Sequence, residues 1–474
     1  FPESGGMSKY AQYSHGSLLG FIAAWANWVS LITLIPIEAV AAVQYMSTWP
    51  WSWAHWTHHF LSNGVITNSG LLIVFGFILV FTALNFWSVT ILTRFTSLIS
   101  VFKIGIPLLT IVMLTMSGFH PGNYGSNLHD FMPYGSAPIF TATSAAGIIF
   151  SFDAFQTVIN MGGEIEHPKK NIGRGITISL LISGILYVIL QSTFITAIPP
   201  KMIAATGWHG IVFNSPFADM AILLGIHWLS VLLYMDAFVS PFGTGVSFVA
   251  NTARALFAME GNRHVPHFLG KINLKYGIPR NAMVVNTVLS MVMVSVFRSW
   301  AVLATVLSTA TLIAYLTGPV TAVSLRKMGS KLYRPIRLKH LPWIAPVSFV
   351  LASLATYWAM WPTTVEVIFI ILLGLPFYFY YEWRNHFVST KQAFKASGWM
   401  IGYLIFISIM SYIGSHQFNG QNWIPYPLDF VVIIIASLGF YWWGIRSYVV
   451  TEDFHKAQKP VSYTHLTLPT ICSV

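Results

Sequence analysis

Long apolar stretches alternate with short polar segments along almost the whole chain. Several stretches, among them residues 70–87, 92–116 and 172–198, reach the ~18–20 residues that a helix needs to cross the hydrocarbon core of a bilayer. The pattern predicts twelve membrane-spanning helices, near residues 17–45, 70–88, 92–117, 139–163, 172–198, 217–257, 281–297, 301–325, 342–361, 363–382, 396–414 and 428–448. Successive loops are therefore expected on alternate sides of a membrane.

The composition agrees with this pattern. Hydrophobic residues make up 55% of the chain and charged residues 8%, whereas about 25% of the residues in a typical soluble domain are charged. We therefore predict an all-α polytopic membrane protein whose surroundings are the lipid bilayer.

The basic residues are distributed unequally between the two predicted sides. Of the 25 Lys and Arg residues, Lys103 lies within a span, Lys201 and Arg298 lie on one side, and the remaining 22 lie on the other. Such an excess marks the cytoplasmic side, so we predict a multi-pass protein of the plasma membrane with cytoplasmic basic loops. The net charge of +11 then follows from topology, and we do not expect a nucleic-acid partner.

The sequence carries no motif for a nucleotide, a metal or a disulfide framework. It lacks a GxxxxGK[ST] loop, its 16 His residues lack HExxH spacing, and Cys472 is the sole cysteine. We therefore expect neither an enzyme nor an ATP-driven pump, and no cofactor or metal site.

Four Asp, Glu or Lys side chains lie well inside the predicted spans, namely Glu38, Lys103, Asp153 and Asp236. Each costs at least about 2.5–3.5 kcal/mol at the middle of a span. They can line a substrate or ion pathway, or they can form structural pairs that only tie helices together. Burial disfavours the charged form of a lysine, so Lys103 could also gain and lose a proton.

The segment FSFDAF at residues 150–155 interrupts the fourth apolar stretch. Ser and Asp compete with the helix for backbone hydrogen bonds, and we predict a helix break within residues 150–156. Irregular backbone at membrane depth is tolerated where it lines a cavity or lies buried in protein, and broken helices form the sites of many secondary transporters. A π-bulge or a simple kink is also compatible with this composition.

Several segments resemble the amino acid–polyamine–organocation (APC) superfamily of permeases. FPESGG at residues 1–6 is similar to the end of the second family helix, and residues 150–176 are similar to the sixth helix and the following loop. Residues 239–245 and 251–282 are similar to the eighth helix and the loop to the ninth. The resemblance covers residues 1–330 and implies a LeuT-like fold, in which helices 1–5 and 6–10 form two inverted repeats around a central site.

If FPESGG ends the second helix, the chain lacks helix 1 and most of helix 2, and residues 1–16 form a cytoplasmic loop. We then expect a transporter core in residues 1–330, accessory C-terminal helices in 331–450 and a cytoplasmic tail in 451–474. The run VSYTHLTLPTICSV at the end is either non-native or an ordinary disordered tail. Because the family binds the substrate carboxylate on helix 1, we expect residues 1–474 alone not to transport.

The resemblance assigns a substrate site to the broken helix. Backbone carbonyls at residues 150, 151 and 153 would face the α-ammonium of the substrate, and the ring of Phe150 or Phe155 would act as a gate. The family usually has Gly at position 154 and an apolar residue at position 153, so Asp153 could instead contact a cationic group or a proton. The candidate substrate-binding residues are Phe150, Ser151, Phe152, Asp153, Ala154 and Phe155.

The resemblance also implies a coupling site around Lys103. Many sodium-independent members carry a Lys at this place on the fifth helix, where sodium-coupled relatives hold an ion. Its hydrogen-bond acceptors would lie between Ser240 and Thr244 on the eighth helix, and Asp236 and Glu38 are further candidates for proton coupling. We therefore expect sodium-independent transport; a lysine that only ties helices 5 and 8 together is the alternative.

These observations predict a secondary amino acid transporter that works by alternating access and is driven by protons. The aspartate/glutamate–proton symporters are the subgroup to compare first, although only Lys103 and His227 offer a cation to an acidic substrate. Two alternatives remain open. One is an amino acid/amine antiporter, in which Asp153 would pair with a cationic substrate, and the other is a non-transporting scaffold or sensor on a permease fold.

Overall fold

The computed structural model describes residues 6–87, 89–153, 155–160, 165, 167–273, 278–332, 338–384 and 390–458. The first half contains helices α1 (Gly6–His15), α2 (Ser17–Met46), α3 (Asn68–Trp87), α4 (Val89–Ser117), α5 (Leu128–Phe131), α6 (Ala137–Ala145), α7 (Ile148–Ser151), α8 (Phe155–Asn160), α9 (Pro168–Ala197), α10 (Pro200–Thr206) and α11 (Pro216–Leu223). The second half contains α12 (His227–Gly261), α13 (Arg280–Val296), α14 (Trp300–Met328), α15 (Leu341–Tyr357), α16 (Thr363–Leu372), α17 (Leu375–Arg384), α18 (Thr390–Ile413), α19 (Leu428–Gly444) and α20 (Glu452–Gln458). A small antiparallel hairpin, β1 (Leu61–Ser62) and β2 (Val65–Ile66), lies between α2 and α3.

The helices reproduce the predicted succession of apolar spans. Among the described residues, seven helices are long and apolar enough to cross a membrane, where α16 and α17 count as one. Four further predicted spans contain apolar helices of 10–17 residues, namely the second part of α4, α13, α15 and α19. The remaining predicted span, the fourth along the chain, is divided into α6, α7 and α8. The chain is therefore a multi-pass helical membrane protein.

The prediction of a loop at the start of the chain was wrong for residues 6–15, which form α1. This helix is polar, so neighbours outside it hold it in place. Ser14 O accepts a hydrogen bond from Val449 N at 2.9 Å, and Tyr13 O accepts one from Thr451 Oγ1 at 3.0 Å. Gln12 Nε2 donates to Asp453 Oδ2 at 2.7 Å, so part of the predicted tail, including α20, packs on α1. Residues 459–474 lie outside the described residues.

Two other predicted spans contain interruptions that the apolar pattern did not show. The span predicted at 217–257 is divided into α11 and α12 by a turn at Gly225, which has φ +75°. The span predicted at 363–382 is divided between α16 and α17, where Gly374 packs against the indole of Trp25. A Cβ at residue 374 would come within 2.6 Å of that indole, so the contact requires glycine.

The core of the molecule is built around α2. Its apolar part is 89% buried, and it packs against α1, α3, α12, α13, α14 and α18. Small residues on α2, such as Gly20, Ala23 and Ala26, are fully or nearly fully buried, and small residues allow close approach of helices in a membrane. This helix contacts α12, which carries part of one group of candidate functional residues, and α14, which packs against the other group.

The accessory helices hold the first part of the broken span. Phe140 of α6 stacks on Trp358 with ring centroids 4.8 Å apart and meets Phe430 of α19 edge-on at 5.1 Å. Ser144 Oγ, also on α6, donates to the carbonyl of Ala355 on α15 at 2.6 Å. Because these contacts fix α6 to α15 and α19, the more weakly held part of the span is the segment that follows it.

Candidate substrate and coupling site

A chain of hydrogen bonds along one face of α12 leads to Lys103 on α4. Ser240 Oγ donates to Asp236 Oδ1 at 2.6 Å, and Thr244 Oγ1 donates to the carbonyl of Ser240 at 3.0 Å. The Lys103 ammonium in turn donates to Thr244 Oγ1. Residues 236, 240 and 244 follow each other at four-residue intervals, which places their side chains on one face of the helix.

A second carboxylate approaches the same lysine from α2. Glu38 and Asp236 both lie close enough to interact electrostatically with the Lys103 ammonium. Three elements, α2, α4 and α12, therefore bring two acids and one base together. With all three groups ionised the cluster carries one net negative charge, and uptake of a single proton neutralises it. The cluster can thus hold a proton, although its role in coupling stays a prediction.

A cleft of about 250 Å³ opens beside this cluster. It is slightly smaller than the roughly 300–1,000 Å³ of typical ligand pockets. The Asp236 carboxylate and the Ser240 hydroxyl contribute to its wall, as do the polar side chains of Tyr45 and Thr110. The apolar lining consists of Ala41, Ile106, Pro107, Leu190, Phe217, Leu233, Ala237 and Pro241.

Two prolines in the cleft wall modify the backbone of the helices that carry the cluster. Pro107 lies within α4 and Pro241 within α12. A proline has no N–H to bond the carbonyl four residues before it. Pro107 therefore leaves the carbonyl of Lys103 without its usual helical donor, and Pro241 does the same for the carbonyl of Ala237. These carbonyls are potential acceptors for an ammonium group or a water molecule at the cleft.

The predicted break within residues 150–156 is confirmed. α7 ends at Ser151, and α8 begins at Phe155. Between them, Phe152 N donates to Ile149 O at 3.0 Å and Asp153 N donates to Phe150 O at 3.1 Å, both tight three-residue steps. A further break precedes α7, at Gly147 with φ +86°, which the sequence analysis did not predict. Ala154 lies outside the described residues.

The side chains of the broken span pack on two neighbouring helices. The Phe150 ring meets Trp300 edge-on at 5.7 Å, and the Phe155 ring lies 5.1 Å from the Tyr315 ring, so both expected gate residues contact α14. The Phe152 ring meets Tyr187 of α9 edge-on at 5.5 Å. Ser151 Oγ donates to the carbonyl of Gly147 within its own segment, at 3.0 Å. Its side chain is exposed.

The Asp153 carboxylate lies between two hydroxyl groups of α14. Thr311 Oγ1 is 3.4 Å from Oδ2, and Tyr315 Oη is 3.4 Å from Oδ1. Sequence reasoning did not single out either hydroxyl residue. The only sequence feature that could have pointed to them is the four-residue interval from Thr311 to Tyr315, which places both on one helix face.

The eleven predicted site residues thus fall into two groups. Hydrogen bonds join Lys103 on α4 to Thr244, Ser240 and Asp236 on α12, and Glu38 on α2 interacts electrostatically with Lys103. The second group belongs to the broken span. Its described members lie in α7, in α8 and in the turn between them, namely Phe150, Ser151, Phe152, Asp153 and Phe155. His227, the other cation considered for an acidic substrate, is the first residue of α12.

Comparison with known proteins identifies the family of the chain. Residues 1–369 match the amino acid permease family over more than three quarters of the chain. The chain belongs to that family. Its relatives are transporters and not enzymes, and the chain is accordingly an amino acid transporter.

Three relatives from Bacillus subtilis (strain 168) illustrate the range of the family. The chain is 48% identical to the glutamate/serine transporter AimA over 459 residues, which are 97% of this chain and 85% of that protein. It is 33% identical to the aspartate–proton symporter, with 94% of this chain and 84% of that protein covered. It is 25% identical to the branched-chain amino acid permease BcaP, with 81% and 80% covered.

Proposed function

We propose that this permease is a proton-coupled secondary transporter that takes up amino acids by alternating access across the plasma membrane. The basic loops would then face the cytoplasm, in accord with the uneven distribution of Lys and Arg. The observation that carries the proposal is the cluster of Lys103, Asp236 and Glu38, which places one base and two acids beside a cleft.

The chemistry of the cluster suits proton coupling without sodium. The Lys103 ammonium donates a hydrogen bond to Thr244 Oγ1. It would thus stand in the place that a sodium ion takes in sodium-coupled relatives. Binding of one proton changes the net charge of Lys103, Asp236 and Glu38 from −1 to zero. Because a net charge is costly inside the bilayer, the free energy of a conformational change at the cluster depends on whether that proton is bound. A carrier that changes conformation more readily in one protonation state transports the proton together with its substrate.

We propose acidic amino acids as substrates. Two relatives that are 48% and 33% identical to the chain are called a glutamate/serine transporter and an aspartate–proton symporter. The broken span would bind the α-ammonium through carbonyls of residues 150 and 151. In this proposal the Asp153 carboxylate interacts with the hydroxyl groups of Thr311 and Tyr315 instead of with a cationic substrate side chain. This arrangement favours the symporter over the amino acid/amine antiporter.

The test is uptake by the full-length protein in proteoliposomes. Labelled aspartate or glutamate is supplied in sodium-free buffer, with and without an inward proton gradient. We expect accumulation that requires the gradient and is abolished by a protonophore. Exchange of internal for external amino acid without net accumulation would support the antiporter. Binding of the amino acid without uptake or exchange would support the scaffold or sensor.

A further inference from the structure

The middle of the broken span is too short to hold its own position. α7 is a single turn of four residues, and it lies between breaks at Gly147 and at Phe152–Asp153. One helical turn is unstable by itself because nucleation fixes several dihedral angles for few hydrogen bonds. The orientation of the carbonyls proposed to bind substrate must therefore be set by contacts with neighbouring helices.

One face of α14 supplies most of these contacts. Trp300, Ala304, Thr311 and Tyr315 follow each other at intervals of four, seven and four residues, which places them on a single stripe. The Trp300 indole lies against Gly147, where a Cβ would come within 3.1 Å of the ring. Together with its edge-on contact to Phe150 at 5.7 Å, this fixes the beginning of α7.

The end of the segment is held differently, through a carboxylate. Asp153 lies opposite both Thr311 Oγ1 and Tyr315 Oη, each at 3.4 Å, and a carboxylate can accept hydrogen bonds from both hydroxyls. Closed bonds between a hydroxyl and a carboxylate measure about 2.5–2.7 Å. The two contacts are thus long in this conformation, and a small movement of the segment closes or opens them.

We propose that Asp153, Thr311 and Tyr315 form a latch that holds the broken span against α14, with Thr311 and Tyr315 as positioning residues for transport. The latch fixes the turn after α7 and hence the direction of the carbonyls at residues 150 and 151. Its role in transport rests on the function proposed above, whereas the contact itself does not. Pro319 lies four residues beyond Tyr315 within α14 and removes the helical donor of the Tyr315 carbonyl, which loosens the helix next to the latch.

A nearby threonine provides a matched control. Thr309 lies two residues before Thr311 and is equally buried, but its hydroxyl donates to the carbonyl of Thr305 on its own helix, at 2.7 Å. Thr309→Val therefore removes a buried hydroxyl of α14 without affecting the latch.

The first experiment measures the position of the broken span without transport. Ile149→Cys, at a half-buried position of α7 that packs against the core, is introduced into protein that carries Cys472→Ser, so that residue 149 holds the only thiol of residues 1–474. The rate of N-ethylmaleimide labelling is followed in detergent. We expect Thr311→Val and Tyr315→Phe together to raise the rate at least about threefold, because local opening of the segment becomes easier. Thr309→Val should leave it unchanged. Equal rates in all three proteins would overturn the latch.

The second experiment is a double-mutant cycle on uptake of labelled aspartate. We expect Tyr315→Phe to lower the maximal rate roughly fivefold, with protein yield and melting temperature equal to those of Thr309→Val. In the background of Asp153→Ala, Tyr315→Phe should have no further effect, since its hydroxyl acts through that carboxylate. Additive losses would contradict the latch. If the unmodified full-length protein takes up no amino acid, the proposed function fails, and the labelling rates alone decide the latch.

Discussion

Two carboxylates on membrane-spanning helices, Asp429 on α19 and Asp236 on α12, differ in their burial and in their partners. Asp429 is completely buried near the start of α19. Its Oδ2 accepts hydrogen bonds from Tyr357 Oη at 2.7 Å and Ser415 Oγ at 2.9 Å, and Oδ1 accepts one from Phe430 N at 2.9 Å. These fixed donors replace water, and the helix N-terminus favours a negative charge.

Asp236 is only half-buried and lies in the wall of the cleft. Its carboxylate accepts a hydrogen bond from Ser240 and interacts electrostatically with the Lys103 ammonium. A carboxylate closed off by rigid donors stabilises one conformation. A carboxylate beside a cleft and a lysine can respond to a proton. We therefore expect a coupling acid to differ from a structural one in both its partners and its burial.

The largest effect is expected from Lys103→Ala. Removal of the ammonium deprives Glu38 and Asp236 of the positive charge with which both interact. The conformational change would then no longer depend on protonation of the cluster. We expect accumulation driven by a proton gradient to be lost, while the protein remains folded and monodisperse in detergent. The measurement is gradient-driven uptake of labelled aspartate.

Lys201→Ala is the matched control for this variant, because Lys201 is an exposed lysine on α10, outside the cluster. It should accumulate substrate normally. A normal response of the Lys103→Ala variant to the gradient would remove Lys103 from the coupling mechanism.

Neutral isosteres of the two acids test the core side of the comparison. We expect Asp236→Asn and Glu38→Gln to shift or flatten the pH dependence of uptake, because each removes one titratable group that interacts with Lys103. The maximal rate at the best pH should fall less than in Lys103→Ala. Uptake measured from pH 5 to 8 decides the matter, and unchanged profiles in both variants would make these two acids structural.

Asp429→Ala tests the accessory side. The substitution leaves the hydroxyls of Tyr357 and Ser415 and the Phe430 N–H without their acceptor, at a cost of about 1–3 kcal/mol for each buried group left unsatisfied. We expect a lower melting temperature and a lower yield. The protein that remains folded should show the wild-type pH profile of uptake. A changed profile with normal stability would erase the distinction drawn between Asp429 and Asp236.

His264 sharpens the comparison further, because it is buried without a compensating partner. It lies in the loop after α12 and is 3% exposed, with its ring edge-on to Phe21 at 5.3 Å. Within the described part of the chain, neither ring nitrogen has a hydrogen-bond partner. Desolvation by burial lowers the pKa of His264 from 6.5 to about 4.

The unfolded chain therefore binds a proton at His264 near pH 6.5, whereas the folded protein binds it only near pH 4. The free energy of unfolding is therefore unaffected by His264 above pH 6.5. It falls by up to roughly 3 kcal/mol as the pH is lowered toward 4. We expect His264→Phe, which suits the apolar surroundings, to reduce this acid sensitivity and to leave uptake unchanged. Melting temperatures of both proteins between pH 7.5 and 4.5 provide the test, and parallel curves would show that His264 does not contribute.

The parts of the fold that follow from chain length and polarity could be predicted from the sequence. The apolar stretches predicted the spans, and the Ser and Asp residues of the fourth predicted span indicated its break. The start of α12 and the break at Gly147 could not be predicted, because they depend on backbone angles that glycine permits rather than on hydrophobicity. α1 was missed because its polar sequence is ordered by residues 449–453, more than 430 positions away.

The candidate site shows the same division. Lys103 could be singled out as an ionisable residue within a predicted span, and the resemblance supplied its acceptors near Ser240 and Thr244, which belong to a recognisable segment. Thr311 and Tyr315 lie about 160 residues beyond Asp153 on a helix without any such motif. Only the packing of α14 against the broken span brings them to the carboxylate.

The central claim is that protons enter with the amino acid through the Lys103 cluster. The most direct measurement is the internal pH of sodium-free proteoliposomes, reported by a trapped fluorescent dye, at the moment when aspartate is added outside without a preformed gradient. We predict that aspartate acidifies the interior of vesicles containing the unmodified full-length protein, and that it does not do so with Lys103→Ala. Aspartate uptake without acidification, or acidification that persists in the Lys103→Ala variant, would contradict the account.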